Sequence, residues 1–167
     1  MRVALSGSPG TGKTTVASLL EGSVTVESVL QLAKVHGALG EEEADGARSV
    51  DVEALRERVE SWPDPLLVEG HLSHLLGLEA VVVLRCNPTV LRARLEARGY
   101  DVAKVQSNVE WEKLGGVLAE LLDDERTVPI LEIDATHTDA EGIAQRVGTW
   151  LEDGCPDQGP ARIDWLE

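Results

Sequence analysis

The chain has 167 residues, 43% of them hydrophobic, which is typical of one domain with a substantial core. Its 30 Asp and Glu residues outnumber 15 Lys and Arg, and the formal net charge of -15 opposes non-specific binding to nucleic-acid backbones and anionic lipid. We therefore expect neither membrane association nor direct sequence-specific DNA binding, and a basic protein is the easier partner to imagine.

The acidic residues are spread over every segment, Phe is absent, and Lys occurs only four times. This pattern indicates a protein adapted to high salt, and an ordinary acidic cytosolic protein is the alternative. Cys86 and Cys155 are far apart and predict neither a disulfide framework nor a zinc site. The N-terminal residues start too quickly for a signal peptide, and no apolar stretch reaches the roughly 18 residues of a membrane span, so we expect a cytoplasmic protein.

Hydrophobic periodicity predicts alternating strands and helices in the first half of the chain. In order, these are a strand over Arg2–Gly7, a helix from Lys13 to Gly22, a strand over Ser23–Ser28, a helix over Val29–Gly40, a solvated loop over Glu41–Ser49, a helix over Val50–Trp62 and a strand over Leu66–Gly70.

The second half continues the alternation and ends in a segment of turn composition. It predicts a strand over Glu79–Cys86, helices over Asn87–Gly99 and Asp101–Leu122, a strand over Val128–Asp134, a helix over Thr138–Asp153 and a loose tail over Gly154–Glu167, which Trp165 and Leu166 could dock. Strands that alternate with helices predict an α/β fold with a parallel sheet.

Between the first strand and the first helix lies the pattern G-x-x-x-x-G-K-T, formed by Gly7, Gly12, Lys13 and Thr14. Such a loop binds phosphate because its glycines let amide N–H groups converge on one anion, and the helix start adds unpaired N–H groups. Lys13 is placed to reach the β- and γ-phosphates of a nucleotide, and the Thr14 hydroxyl to bind Mg²⁺, with Thr15 adding a contact to an α-phosphate. An incidental glycine-rich turn is the weaker alternative. The phosphate-binding set is predicted as Gly10, Thr11, Gly12, Lys13, Thr14 and Thr15.

Glu69 ends the apolar run "LLVE", where proteins with such a loop hold the carboxylate that organises the metal. His71 follows two residues later and could orient a water or a phosphate. The alternatives are a strand-ending glutamate and a helix-start histidine. For His74, one turn further on, surface placement is the better prediction.

Several motifs together resemble the adenylate kinase isoenzyme 6 family, whose human member is also called the coilin-interacting nuclear ATPase. They are "GSPGTGKTT", "VEGH", "VVVLR", "LRARLEARGY" followed by "KVQSNVEWE", and "VGTWLE", in order over roughly Arg2–Asp153. The most discriminating positions are Arg98, Gly99, Tyr100, Lys104 and Asn108.

The resemblance implies a P-loop NTPase fold with three α/β/α layers and a five-stranded parallel sheet. It places a nucleoside-monophosphate-kinase-like domain at residues 1–153, with an NMP-binding helical segment at roughly 28–62, a short lid at roughly 97–108, and a C-terminal tail at 154–167. It also implies Mg²⁺-dependent transfer of the ATP γ-phosphoryl group to AMP, together with ATP hydrolysis. In this family the activity is linked to small ribosomal subunit maturation, so a basic small-subunit ribosomal protein and the pre-ribosome are expected partners. An assembly ATPase that chaperones such a protein, with kinase activity secondary, is the alternative.

Carried over by position, Lys13 and Thr14 match the family's phosphate lysine and metal-binding hydroxyl, and His71 matches its Walker B histidine. Glu69 stands where the family usually has aspartate, which shifts the predicted metal-binding carboxylate by about an ångström. Lys34 stands where the family has an arginine in the NMP segment. A lysine loses the two-pronged contact with AMP phosphate, so we expect weaker AMP binding.

Phosphoryl transfer also needs cations that converge on the moving charge. Arg94 and Arg98 are the candidates, because they lie four residues apart on one helical face just before a lid hinge. A solvated basic stripe is the alternative for both. After the last strand, Thr136 and His137 are expected to border the adenine, and Thr138 is expected to cap the following helix.

The four tryptophans are most simply core or groove-filling residues. Trp111 is the exception, because its helix is otherwise polar on that side, and contact with a protein partner is an alternative for it.

Overall fold

The computed structural model describes residues 1–137, 139–159 and 161–166. Its centre is a five-stranded, fully parallel sheet in the order β2-β5-β1-β6-β7. The strands are β1 Arg2–Gly7, β2 Thr25–Ser28, β5 Leu66–Glu69, β6 Ala80–Arg85 and β7 Ile130–Asp134. A separate antiparallel hairpin pairs β3 Leu39–Glu42 with β4 Arg48–Val50.

Seven α-helices surround the sheet in the described part of the chain. They are α1 Lys13–Leu20, α2 Val29–Val35, α3 Val52–Arg56, α4 Pro88–Ala97, α5 Val102–Lys113, α6 Gly116–Asp123 and α7 Ala140–Glu152. Two 3-10 helical turns, Val59–Ser61 and Ser73–Leu76, complete the described elements.

Successive strand residues point to opposite faces of the sheet. Both faces carry apolar side chains, so both are covered by helices. On one face, Val3 and Leu5 of β1 share a core with α1 and α7. On the other, Ala4 shares a core with α2, α3, α6 and both 3-10 turns. The predicted three-layer α/β fold with a five-stranded parallel sheet is therefore confirmed.

A third apolar cluster joins α4 to α5 through Leu91, Leu95, Val105 and Val109. This pair of helices stands beside the carboxyl ends of β1 and β6, because α4 follows β6 directly. The cluster fixes the position of the turn between the two helices, which is the segment predicted as the lid.

Two predictions for the segment after β2 are wrong. The helix predicted over Val29–Gly40 ends at Val35, because Gly37 adopts a left-handed conformation with φ 67°. Part of the predicted loop over Glu41–Ser49 is a β-hairpin instead. Between Leu39 and Val50, which pack against the core, the hairpin residues are polar or small, so they show no apolar period from which the strands could be predicted.

Two predicted helices are interrupted. The one predicted over Val50–Trp62 is the short helix α3 followed by a 3-10 turn. The one predicted over Asp101–Leu122 divides into α5 and α6 at Gly115, whose φ is 66°. The division lets Trp111 pack against Gly116, where an added Cβ would lie 2.0 Å from the indole ring. Trp111 is therefore half-buried in the core and not a free surface aromatic.

The expectation of a loose tail is also wrong for part of the described tail. The amides of Arg162 and Ile163 donate to Glu132 Oε2 at 2.7 and 3.2 Å. Trp165 is docked through its indole N–H, which donates to Glu112 Oε1 at 3.2 Å. Leu166, the other residue that could have docked the tail, is 61% exposed.

Candidate functional site

The loop between β1 and α1 has the backbone shape that its glycines predict. Gly10 and Gly12 have φ 89° and 95°, which side-chain-bearing residues rarely adopt. A Cβ at Gly10 would also press on Leu91 and Leu95 of α4 at 3.1 Å. The loop thus wraps against α4, and α1 begins directly after Gly12 with its first amides unpaired within the helix.

Lys13 is folded back onto this loop and is only 8% exposed. Its Nζ donates to the carbonyls of Gly7 at 2.9 Å and Ser8 at 2.8 Å. Burial, against the opposing charge of Glu69, lowers the pKa of Lys13 to about 8; the charge of Arg98 contributes to this decrease and that of Glu112 opposes it. The loop therefore holds an ammonium group that gains from the approach of an anion.

Thr14 and Glu69 stand together at the carboxyl edge of the sheet. Glu69 is the last residue of β5 and lies beside Leu5 of β1 in the register of the sheet. Burial raises the pKa of Glu69, while Lys13 and a hydrogen bond from Thr14 oppose that rise. A hydroxyl and a carboxylate are oxygen ligands of the kind that Mg²⁺ prefers, together with water and phosphate oxygens. The donor set fits Mg²⁺, although the described residues contain no group of three or more His, Cys, Asp or Glu side chains that could hold a metal by themselves.

His71 lies in the turn that follows β5, within the electrostatic reach of Lys13. Desolvation lowers the pKa of His71, and the positive charge of Lys13 lowers it further. Its imidazole is therefore neutral near pH 7, the form that accepts a hydrogen bond from water or a hydroxyl.

The predicted surface position of His74 is wrong, because this residue is 2% exposed. Its Nδ1 lies 2.8 Å from Ser6 Oγ of β1 and its Nε2 lies 2.6 Å from Glu120 Oε2 of α6. Burial lowers the pKa of His74 despite the carboxylate of Glu120, so the neutral ring donates to Glu120 and accepts from Ser6. His74 thus ties the turn after β5 to β1 and α6.

The two arginines of α4 occupy different environments. Arg94 donates to the carbonyls of Gly10 at 3.3 Å and of Ala135 and Thr136 at 3.2 Å each. It therefore joins the phosphate loop to the loop after β7. Arg98 ends α4, is exposed, and has no side-chain hydrogen bond among the residues that the structure describes, yet its charge reaches Lys13.

The loop after β7 is held next to the start of α4. Thr136 is 8% exposed, and its Oγ1 accepts from the amide of Asn87 at 2.8 Å. His137 beside it is exposed. The predicted cap Thr138 lies outside the described residues, and the α7 N-terminus is capped by Asp139, whose Oδ1 accepts from the amide of Gly142 at 2.6 Å.

Lys34, in the segment at roughly 28–62 that is expected to bind AMP, is more exposed to solvent than the phosphate-loop lysine. Lys34 is exposed near the end of α2. Lys104 of α5 donates to Asp45 of the hairpin at 3.3 Å and lies 4.5 Å from the centre of the Tyr100 ring. This ion pair links the turn between α4 and α5 to the hairpin.

Among the predicted site residues, Glu69, Arg98 and His71 lie within electrostatic reach of Lys13 in the phosphate loop, and Thr14 affects the pKa of Glu69. Sequence reasoning missed Ser8 and Glu112, which share a buried hydrogen bond of 2.5 Å. It also missed the partners of His74. The described part of the chain has no helix that is both long and apolar enough to cross a membrane.

Comparison with known proteins supplies relatives along the whole chain. A family model described as "AAA domain" matches residues 3–115. A protein of Archaeoglobus fulgidus named "Putative adenylate kinase" is 41% identical over 170 residues, covering 99% of this chain and 92% of the relative. A protein of the same name from Halobacterium salinarum is 36% identical over 169 residues, covering 100% and 99%.

Solved structures agree on the fold at low sequence identity. Shikimate kinase from Acinetobacter baumannii, in complex with shikimate, superposes with a TM-score of 0.64 at 16% identity, covering 92% of this chain and 93% of the other. A gluconokinase from Sinorhizobium meliloti gives a TM-score of 0.59 at 16% identity, with coverage of 92% and 93%. These similarities establish the fold and carry no information on the substrate.

Proposed function

Because the chain belongs to the AAA domain family and to the family of archaeal proteins named putative adenylate kinase, and is a P-loop kinase, we propose that it transfers the γ-phosphoryl group of ATP to AMP. The observation that carries this proposal is the convergence of Lys13, Thr14 and Glu69 at one end of the phosphate loop, with the free guanidinium of Arg98 in reach.

On the donor side, the loop amides from Gly10 to Thr15 bind the phosphates of ATP. Lys13 exchanges its two carbonyl partners for phosphate oxygens, which offer a full charge in place of a dipole. Arg94 keeps the loop and the Thr136 segment in register, so that the adenine borders Thr136 and His137 while the phosphates enter the loop.

Thr14 and Glu69 hold Mg²⁺ in this proposal. When bound, the ion neutralises phosphate charge and polarises the bond that breaks. Glu69 is one methylene longer than the aspartate usual in the isoenzyme 6 family, and Thr14 is close enough to its carboxylate to lower the pKa of Glu69.

Arg98 and His71 act on the group in transfer. Arg98 stands at the hinge between α4 and α5, from which closure of the lid brings its charge to the phosphoryl oxygens. His71 is neutral and orients the attacking water in ATP hydrolysis or a phosphate in transfer.

Lys34 is the proposed contact for the phosphate of AMP. It is exposed on α2, which stands between β2 and the hairpin. A single ammonium group supplies charge without the paired geometry of a guanidinium, which supports weak AMP binding.

The test is ADP formation from ATP with and without AMP, in molar-range KCl. Two ADP formed for each AMP consumed supports the kinase proposal. Slow phosphate release that is independent of AMP, with no AMP consumed, contradicts it and favours the second candidate.

That second candidate is an assembly ATPase that binds a basic small-subunit ribosomal protein, with turnover as a timer. The net charge of -15 favours a basic partner, but adaptation to high salt accounts for the same charge. Stimulation of phosphate release by such a protein supports this candidate.

On the motifs and composition alone, we also propose that the chain belongs to the isoenzyme 6 subfamily. We propose on the same basis that it works in a high-salt cytoplasm and is linked to ribosome maturation.

A further inference from the structure

Helix α5 places a buried carboxylate against the phosphate loop. Glu112 is 2% exposed and lies at the end of α5 that is further from the lid. Four donors surround its side chain: Ser8 Oγ at 2.5 Å, Arg85 Nε at 2.8 Å, the Cys86 amide at 3.1 Å and Trp165 Nε1 at 3.2 Å. One oxygen, Oε2, has Ser8 as its only hydrogen-bond donor among the residues that the structure describes.

Ser8 connects the Glu112 carboxylate to Lys13, the side chain proposed to bind the nucleotide phosphates. It is fully buried in the second position of the phosphate loop. Its carbonyl oxygen accepts from Lys13 Nζ at 2.8 Å and from Thr11 Oγ1 at 2.9 Å. The hydrogen bond of the Ser8 side chain therefore fixes the Ser8 carbonyl, and that carbonyl sets where Lys13 and Thr11 lie.

A gain in folding stability from ion pairs does not explain why Glu112 is buried with Arg85 and Glu132. Arg85 is 3% exposed and contacts two carboxylates, Glu112 at 2.8 Å and Glu132 at 2.7 Å. Burying these three charges costs desolvation energy, which such pairs often fail to recover against apolar side chains. Positioning the phosphate loop is a benefit that an apolar replacement would not provide.

We propose that Glu112 is a positioning residue for phosphoryl transfer, which holds Ser8 and, through its carbonyl, the phosphate-binding conformation of the loop. The inference rests on the proposed function, because the reacting group is the phosphate of ATP. Glu112 does not touch the nucleotide and acts through Ser8. The tail residue Trp165 supplies one of its four donors.

The experiment compares Glu112→Gln, Ser8→Ala and the double variant in the full chain. Glutamine keeps the size of the side chain and loses one acceptor oxygen. Because a shift of the loop by a fraction of an ångström weakens transition-state contacts most, we expect kcat of Glu112→Gln to fall about tenfold and the dissociation constant for MgATP to rise only about threefold. Ser8→Ala is expected to lower kcat in the same way by a smaller factor.

The double variant separates positioning from general structural support. If Glu112 acts through Ser8, the kcat of the double variant is no lower than that of Glu112→Gln, because both changes remove the same charge-assisted hydrogen bond from Ser8 Oγ to a carboxylate oxygen. Multiplied losses, or equal losses in kcat and affinity that follow the melting temperature, overturn the inference. Glu110→Gln is the matched control, since Glu110 is exposed on the same helix and its kcat should be unchanged.

The same samples distinguish failure of the inference from failure of the proposed function. A wild-type chain that binds MgATP and transfers nothing to AMP contradicts the kinase proposal, and the non-additivity is then read from the dissociation constants. An active wild type with an equally active Glu112→Gln variant contradicts the inference alone. If Glu112→Gln fails to fold, Ser8→Ala carries the test, and full kcat in that variant overturns the inference.

Discussion

The phosphate-loop end of the molecule and the monophosphate end differ in how firmly their charged groups are held. Lys13 is 8% exposed with two hydrogen bonds to the loop, and Ser8 and Glu112 behind it are buried. At the other end, Lys34 is exposed, and the ion pair of Lys104 with Asp45 joins side chains that are 36% and 40% exposed.

This difference indicates that the donor site is preorganised and that the acceptor site is completed by closure. A buried, fully hydrogen-bonded group loses little entropy when its substrate arrives, whereas an exposed ion pair contributes only about 0–1 kcal/mol and breaks readily. Substitutions at the loop should therefore affect the chemical step strongly, and those at the monophosphate end should affect AMP binding mildly.

The largest effect is expected for Lys13→Ala. Removing this cation should lower kcat by about a thousandfold, because its charge stabilises the transition state. The melting temperature should stay within a few degrees of the wild-type value, since the lysine is buried at a cost. Steady-state ADP formation measures the loss, and Lys113→Ala on the exposed end of α5 is the control. Undiminished turnover would refute the role of Lys13.

The lowered pKa of Lys13 predicts a pH dependence of ATP binding. With a pKa of about 8, the Lys13 side chain of the nucleotide-free protein is mostly uncharged at pH 9, and bound phosphates restore its proton and its charge. ATP binding at pH 9 should therefore take up about 0.9 proton and be about tenfold weaker than at pH 7.

Calorimetry in buffers of different ionisation enthalpy measures this uptake, and Lys13→Ala should abolish it. Glu69 and His71 are the other groups near Lys13 whose pKa values are shifted, so uptake that persists in this variant would assign the proton to one of them. In the unfolded chain the lysine keeps its proton up to about pH 10.5, so the free energy of unfolding should rise with pH between about 8 and 10.5.

A smaller effect is expected for Lys34→Arg. A guanidinium restores two parallel hydrogen bonds to a phosphate, so KM for AMP should fall by about threefold to tenfold while kcat changes little. Lys113→Arg serves as the matched control. An AMP KM that does not move would remove Lys34 from the acceptor site.

The smallest effect is expected for Asp45→Ala, which breaks the contact between hairpin and α5. Because the ion pair is exposed, KM for AMP should change by less than about twofold, and the change should vanish in molar salt. Asp123→Ala, at an exposed position of α6, is the control. A loss of tenfold or more would mean that the monophosphate end is as preorganised as the loop.

The sequence predicted the sheet and the phosphate loop because both depend on local patterns. β6 is nearly continuous in apolar residues, and the loop motif occupies adjacent positions. The hairpin around Asp45 was missed because its residues between Leu39 and Val50 are polar or small, and the end of α2 was misplaced because helix periodicity does not show which glycine stops a helix.

The buried networks could not be predicted for a different reason. Ser8 and Glu112 are 104 residues apart, and Ser6 and His74 are 68 apart, so no local period connects them. In a chain with 30 acidic residues, one glutamate on a helix carries no signal that it is buried. Only the packing of α5 against the loop reveals Glu112 as a member of the site.

The measurement that tests the central claim most directly is a crystal structure with Mg²⁺ and a non-hydrolysable ATP analogue. We predict that the β- and γ-phosphates lie on the amides of Gly10 to Thr15, that Lys13 Nζ leaves the carbonyls of Gly7 and Ser8 for phosphate oxygens, and that the metal lies between Thr14 and Glu69. Phosphates bound elsewhere, with Lys13 still on both carbonyls, would contradict the account.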